Sequence, residues 1–173
     1  MTRTRLLLTT LVLLFLVAFV RTVHAQDAKM GKQDMQALSR LAQADMAEIA
    51  AGKLAAQKAS NAEVKKFGEH MVQDHTTMLD EGKKLAQSKG VKPPADTDSK
   101  HRGALKKLGG LSGAEFDRQY MQQMVKDHEE VLQLAQKTAK GAKDPDVKAH
   151  AEKGAPHIQE HLDAAKKILS SLK

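Results

Sequence analysis

The chain has 173 residues, of which 41% are apolar, 28% charged and 3% aromatic, and it contains no cysteine. The absence of cysteine excludes disulfides, thiolate metal sites, iron–sulfur clusters and covalently attached c-type haem. Because aromatic residues are so few, the core must consist of Ala, Leu, Val and Met, a composition that favours helices over a β-sandwich. The length fits a single domain.

The first 25 residues differ in composition from the rest of the chain. Arg3 and Arg5 precede an almost unbroken apolar run over 6–20, and Val23-His24-Ala25 resembles a cleavage site. This order is typical of a secretory signal peptide, so we expect cleavage after Ala25 and export to the periplasm or outer envelope. The alternative is an uncleaved membrane anchor, but the run is short for a span of about 20 residues. With cleavage, the mature chain has no integral membrane span.

The charge balance of the mature chain argues against a nucleic-acid partner. Removing residues 1–25 takes away three Arg and no acid, which leaves 25 basic against 21 acidic residues and a net charge of +4. Of the 25 basic residues, 22 are Lys, and they are spread along the chain near acidic residues. A nucleic-acid-binding protein is expected to cluster Arg and to interleave aromatic residues. The pattern indicates a solvated helical surface, and it leaves open a partner in the cell envelope.

After a flexible leader at 26–33, the sequence predicts an all-α fold, a four-helix bundle. Apolar and small residues recur at alternating spacings of three and four in four stretches. These stretches are 34–60, 61–89, 112–140 and 145–172. The turns between the first and last pairs are short, whereas the crossing segment over 91–111 contains a short extra helix around 98–108. Such a segment is long enough to span the bundle, so the second and third long helices can be parallel.

Local signals mark where these helices begin and end. Asn61, and Asp144 followed by Pro145, are residue types preferred at helix N-termini. Ser112 and Glu115 have the spacing of a capping box. Gly90 ends the second stretch.

One titratable residue lies on the apolar face of each long helix near its midpoint: Glu48, His75, His128 and His161. Counting from the two short turns places Glu48 opposite His75, and His128 opposite His161, so the four converge at one level of a bundle. Three imidazoles and one carboxylate form a donor set for a Zn, Fe or Cu ion. The alternative is a purely structural polar layer that sets the register of the helices.

Other residues near this level are weaker candidates. Asp74, Asp127 and Glu160 directly precede the three histidines and are predicted to orient their rings. Four methionines flank the layer, as core residues or as ligands if the ion is copper: Met71, Met78, Met121 and Met124.

The sequence favours a role other than catalysis. It has no nucleophile motif and no recognisable acid–base pair with a substrate pocket, so no catalytic residue is predicted. His157, Glu160 and His161 match the spacing of a zinc-protease motif, but only 12 residues follow, too few to complete such a fold.

Two repeated runs connect the chain with a known family. Met71-Val-Gln-Asp-His75 and Met124-Val-Lys-Asp-His128 share one pattern, and 61–65 is similar to 144–148, which suggests two related helical hairpins. With Glu160-His161-Leu162, these runs resemble the exported bacterial family known as domain of unknown function 4142 over about residues 33–172.

The resemblance implies a ferritin-like bundle in the periplasm or outer envelope with no agreed biochemical activity. The residues that match the family pattern are Glu48, Asp74, His75, Asp127, His128 and His161. Di-iron bundles use Glu-x-x-His motifs. Here the residues three before the histidines are the apolar Val72, Val125 and Ile158, so the resemblance does not extend to di-iron chemistry.

Overall fold

The computed structural model describes residues 30–172. The predicted signal peptide, and the predicted leader up to residue 29, lie outside the described residues. The described part contains five helices: α1 Lys32–Lys58, α2 Ala62–Ser88, α3 Ser99–Gly109, α4 Gly113–Gly141 and α5 Pro145–Ser171. The prediction of an all-α bundle of four long helices with a short extra helix is thereby confirmed. Among these five helices, none combines the length and the apolar character needed to cross a membrane.

Neighbouring long helices run antiparallel around the bundle. Lys58 Nζ at the end of α1 donates to the carbonyl of Leu111, just before α4, at 3.2 Å. Lys89 Nζ at the end of α2 lies 3.0 Å from Asp144 Oδ2 at the start of α5. Since α1 packs against α2 and α4, and α5 against the same two helices, α2 and α4 are parallel. The connection between them therefore covers the length of the bundle, with α3 packed on α1 and α4.

The predicted helix ends are formed with one exception. Asn61 and Asp144 each accept hydrogen bonds from the backbone N–H groups two and three residues further on. Gly90 follows the C-cap of α2 with φ +68°, the left-handed conformation that glycine favours. Ser112 is the N-cap of α4, but its side chain makes no capping hydrogen bond. The predicted capping box is therefore wrong, because Gly113 begins the helix with φ +61° instead of the ordinary geometry.

Two buried carboxylates tie the turn of each hairpin to the other hairpin. Asp117 at the start of α4 accepts from the N–H groups of Ser60 (3.0 Å) and Asn61 (2.8 Å) between α1 and α2. Asp34 at the start of α1 accepts from the N–H groups of Lys143 (3.0 Å) and Asp144 (2.8 Å) between α4 and α5. The two hairpins thus use the same device at opposite ends of the bundle, and it sets their relative height.

Helices α1 and α2 approach closely at two glycines. A Cβ atom on Gly52 would lie 2.6 Å from the carbonyl oxygen of Gly68, and one on Gly68 would lie 2.5 Å from Ala55 Cβ. Both distances are shorter than any relaxed contact, so the packing requires glycine at these positions. This approach holds α1 near enough for Asp45 to hydrogen-bond with His75, two turns away along each helix.

Candidate metal centre

The three histidines predicted as ligands form a buried triangle inside the bundle. His75 lies on α2, His128 on α4 and His161 on α5, and none is more than 3% exposed. The ring centroids are 5.6 Å apart for His75 and His128, 5.2 Å for His75 and His161, and 5.5 Å for His128 and His161. One ligand nitrogen of each ring lies within 4.8 Å of those of the other two.

Each of these histidines has one ring nitrogen hydrogen-bonded to an oxygen acceptor. The pairs are His75 Nδ1 with Asp45 Oδ1 at 2.9 Å, His128 Nδ1 with the Met124 carbonyl at 2.8 Å, and His161 Nε2 with Asp74 Oδ2 at 3.0 Å. Because these oxygens accept, the bonded nitrogens carry the hydrogen and the opposite nitrogens carry the lone pair. Partners of this kind orient histidine ligands in metalloproteins.

The opposite nitrogens are buried and have no hydrogen-bond partner among the described residues. They are His75 Nε2, His128 Nε2 and His161 Nδ1. An unsatisfied buried polar atom costs about 1–3 kcal/mol, so three in one cluster are a substantial penalty. A metal ion that accepts the lone pairs would remove it. Three imidazoles with a further open position are a donor set known for zinc.

Burial keeps the rings of His128 and His161 neutral. Burial, followed by the neighbouring His75 and His161, lowers the pKa of His128 to about 3. Burial and then His75 lower the pKa of His161 to about 4, although the hydrogen bond to Asp74 opposes the shift. Both rings are therefore neutral at pH 7, the protonation state in which imidazole binds a metal.

Glu48 lies at the same level but on a different side of His128. Its Oε1 atom is 3.8 Å from His128 Nδ1, the nitrogen that bonds to the Met124 carbonyl. Burial raises the pKa of Glu48 well above its usual value, and the nearby Asp127 and Asp45 raise it further. The structure thus brings Glu48 into the layer, but it is not a member of the three-nitrogen group.

The three acidic residues that precede the histidines have different surroundings. Asp74 bonds to His161 on another helix, not to the adjacent His75, and its Oδ2 atom also lies 3.3 Å from His70 Nε2 on its own helix. Asp127 is buried and accepts from Gln123 Nε2 at 2.7 Å, while Glu160 is exposed on α5. Consecutive residues are about 100° apart around a helix, so each acid points to the flank of its histidine. The surroundings of the three acids differ. Asp74 faces α5, Asp127 faces a surface cleft that also holds Lys100, and Glu160 faces solvent.

Asp45 is a buried acid beside the histidines that was not among the residues predicted from the sequence. It lies on the same stripe of α1 as Glu48, and it is only 6% exposed. An acidic side chain on an apolar stripe is the signal that could have identified it. The flanking Met71, Met121 and Met124 instead pack in the apolar cluster that also holds Tyr120.

The fold and the site together define a class of protein: a helical bundle with a long crossover and a buried cluster of three histidines. The model of the family described as "Domain of unknown function (DUF4142)" matches residues 20–168. The chain belongs to this family, as the resemblance of its Met-Val-x-Asp-His runs indicated.

Solved structures share the fold at low sequence identity. A DUF305 fragment from Deinococcus radiodurans superposes with a TM-score of 0.74 at 12% identity, covering 83% of this chain and 99% of its own. A DUF305 protein from Streptomyces coelicolor, thought to be secreted, superposes with a TM-score of 0.68 at 14% identity, covering 80% of this chain and 91% of its own. A conserved hypothetical protein from Mycobacterium tuberculosis gives 0.65 at 13% identity, with 82% and 93% covered. No curated protein matches the chain.

Proposed function

We propose that this protein is an exported helical bundle that binds one transition-metal ion at His75, His128 and His161. Its role is storage, buffering or stress protection rather than turnover. The observation that supports this most strongly is the set of three buried nitrogens without a partner, each on a ring whose other nitrogen is hydrogen-bonded. Buried polar atoms nearly always have a hydrogen-bond partner, so three acceptors without partners in one buried site are rare.

The donor set suits Zn, Cu or Fe. Imidazole is a ligand for all three metals, and affinity for divalent ions rises toward copper. The carboxylate of Asp45 on His75 raises the basicity of that ring. Because the three partnerless nitrogens are fully buried, an ion bound to them is shielded from substrates, which favours retention over catalysis.

Export is supported by the N-terminal pattern of the sequence and by the fold shared with the DUF305 protein from Streptomyces coelicolor that is thought to be secreted. Expression of the full chain in a bacterial host, followed by fractionation and N-terminal sequencing, tests this part. We expect a periplasmic product that begins at Gln26. A product that keeps Met1 and stays in the cytoplasm would contradict it.

The metal proposal is tested on untagged protein by elemental analysis and by thermal unfolding with added Zn²⁺, Cu²⁺ or Fe²⁺. We expect about one equivalent of metal, and stabilisation of about 2.7 kcal/mol when the free ion is at 100 times its Kd. A variant with His75, His128 and His161 all changed to Gln should lose both effects. Glu160→Gln, which changes a solvent-facing residue next to His161 on the same helix, is the control. Metal-free wild-type protein that gains no stability from any of the ions would refute the proposal.

The second candidate is an envelope protein that acts through its surface and in which the polar layer is purely structural. It is favoured by the buried hydrogen bond from His75 to Asp45, which joins α2 to α1, and by that from His161 to Asp74, which joins α5 to α2. Under this alternative the triple Gln variant loses stability, while wild-type protein binds no ion.

A further inference from the structure

A second group of potential ligands lies between the buried histidines and the surface. Its members are His70, Asp74 and His161, and their ligand atoms also lie within 4.8 Å of one another. The exposed fraction of the side chain falls along the group, from 55% for His70 through 28% for Asp74 to 4% for His161. The group therefore runs from solvent into the bundle and ends at a residue of the buried triangle.

One carboxylate oxygen connects the two imidazoles of this group. Asp74 Oδ2 is 3.3 Å from His70 Nε2 and 3.0 Å from His161 Nε2. The two rings are 5.3 Å apart between centroids. His70 and Asp74 are four residues apart and share the face of α2 that is turned to α5. Two imidazoles and a carboxylate are also the protein ligands of some catalytic zinc sites, which keep a fourth position open to water.

A cleft gives solvent access to this group. It lies between α2 and α5, has a volume of about 230 Å³ and is lined by Asp74 together with Glu81, His150, His157 and Lys153. Lys153 forms an ion pair with Glu81 at 2.6 Å, so Asp74 and the two imidazoles are the groups of the wall that are left to meet a hydrated cation. Asp74 is the member of the second group that lines the cleft.

His161 is a member of both groups, and its two nitrogens have different surroundings. Its Nε2 atom faces Asp74, and its Nδ1 atom is one of the three buried nitrogens without a partner. A neutral imidazole has a single lone pair, so His161 binds an ion on one side at a time. Passage of an ion from Nε2 to Nδ1 requires the opposite movement of one proton: Nδ1 gives its proton to a solvent water molecule, Nε2 takes one from solvent water admitted by the cleft, and the ring stays neutral.

We propose that His70, Asp74 and His161 form an outer metal site that captures a divalent transition-metal ion at the surface and passes it to the buried triangle. This inference rests on the proposed function, because the buried triangle is the destination of the ion. Occupation of the two sites alternates, since both use the lone pair of His161. The outer site controls the rates at which the ion enters and leaves, and the inner site determines the equilibrium affinity.

The rate of metal uptake tests the proposal. Metal-free wild-type protein, His70→Gln and the control Glu69→Gln, an exposed neighbour on α2, are mixed with Zn²⁺ in a stopped-flow instrument and later challenged with EDTA. For His70→Gln we expect loading and extraction each to slow at least tenfold, with the Kd within twofold of wild type. Both rates fall by the same factor because the route is used in both directions. Glu69→Gln should behave like wild type.

A second variant isolates the outer site. Changing His75 and His128 to Gln removes two inner ligands and leaves the outer group intact. We expect it to bind one Zn²⁺ more weakly than wild type, and to lose this binding when His70→Gln is added. Circular dichroism checks that both variants are folded.

The outcomes separate the two proposals. Wild-type protein that binds no Zn²⁺ refutes the proposed function and the outer site together. Wild-type protein that binds Zn²⁺ while His70→Gln loads at the wild-type rate overturns the outer site alone. If His70→Gln loses affinity and loading rate by the same factor, the outer site is also overturned, because His70 would then bind the ion in the final complex. Two ions bound together would overturn the alternation.

Discussion

Replacing Asp45 by Asn gives the sharpest test of how the buried site works. Asp45 Oδ1 lies 2.9 Å from His75 Nδ1, and both residues are buried, at 6% and 1% exposure. Asn has nearly the same shape and keeps an oxygen that accepts the hydrogen bond, but it removes the negative charge. The substitution therefore changes the basicity of His75 more than its position.

The expected loss follows from the burial of this pair. Removing the partner of a histidine ligand costs about 10–100-fold in metal affinity. Since neither group is exposed, solvent and salt screen the lost charge poorly, but Asn keeps the hydrogen bond, which places the effect near the middle of that range. We expect Zn²⁺ to bind about 30-fold more weakly, which corresponds to about 2 kcal/mol.

The assay is a competition titration of Zn²⁺ against a chelator, with Asp80→Asn as the control because Asp80 is an exposed acid on the same helix as His75. Thermal unfolding of the metal-free proteins is measured in parallel. The reasoning fails if Asp45→Asn lowers the stability of the metal-free protein but leaves the Zn²⁺ affinity within twofold of wild type. Asp45 would then be a structural partner of His75 only.

Three further predictions concern stability without metal. Gly68→Ala should lower the free energy of unfolding by about 1–2 kcal/mol, because overpacking outweighs the gain in helix propensity. Gly103→Ala, where no atom lies within 4 Å of the added Cβ, should raise the free energy of unfolding by about 0.5–1 kcal/mol. Urea unfolding measures both variants, and equal effects of the two substitutions would refute the close approach of α1 and α2. Asp117→Ala should cost about 2–4 kcal/mol in the same assay, because it leaves the buried N–H groups of the α1–α2 turn without an acceptor; a loss below 0.5 kcal/mol would contradict this. The lowered pKa of His128 means that the unfolded chain takes up a proton near pH 6.5 while the folded protein does not, until about pH 3. Its neutral burial thus stabilises the fold above pH 6.5, and this contribution falls by about 1.4 kcal/mol per pH unit on acidification below it. Wild type should lose stability relative to His128→Gln between pH 7 and 5. If the free energies of unfolding of the two proteins instead change in parallel with pH, the lowered pKa of His128 is refuted. Both proteins contain Glu48, so the comparison also cancels the opposite effect of its raised pKa.

The fold was largely predictable because its signals are local. A spacing of three and four places apolar residues on one face of a helix whatever the neighbours are. Asn61 and Asp144 cap their helices with contacts only two and three residues away. The capping box at Ser112 was wrong because the positive φ of Gly113 depends on how the crossing segment enters α4.

The candidate site was predictable only in part. Counting from the turns brought His75, His128 and His161 to one level, since helix rise is constant. The same counting did not distinguish Asp74, which bonds to a histidine of another helix, from Glu160, which faces solvent. That distinction depends on which helix lies beside each flank.

The sequence by itself therefore determined the helices, the heights of the inward residues and the absence of thiolate ligands. Only the tertiary structure decided which nitrogen of each ring is hydrogen-bonded, that Asp45 bonds to His75, and that Glu48 lies beside Nδ1 of His128. The reason is geometric. Periodicity fixes the face and the height of a residue on its own helix, whereas contacts between helices depend on their rotation and separation. These are set by distant contacts, such as the close approach of Gly52 and Gly68.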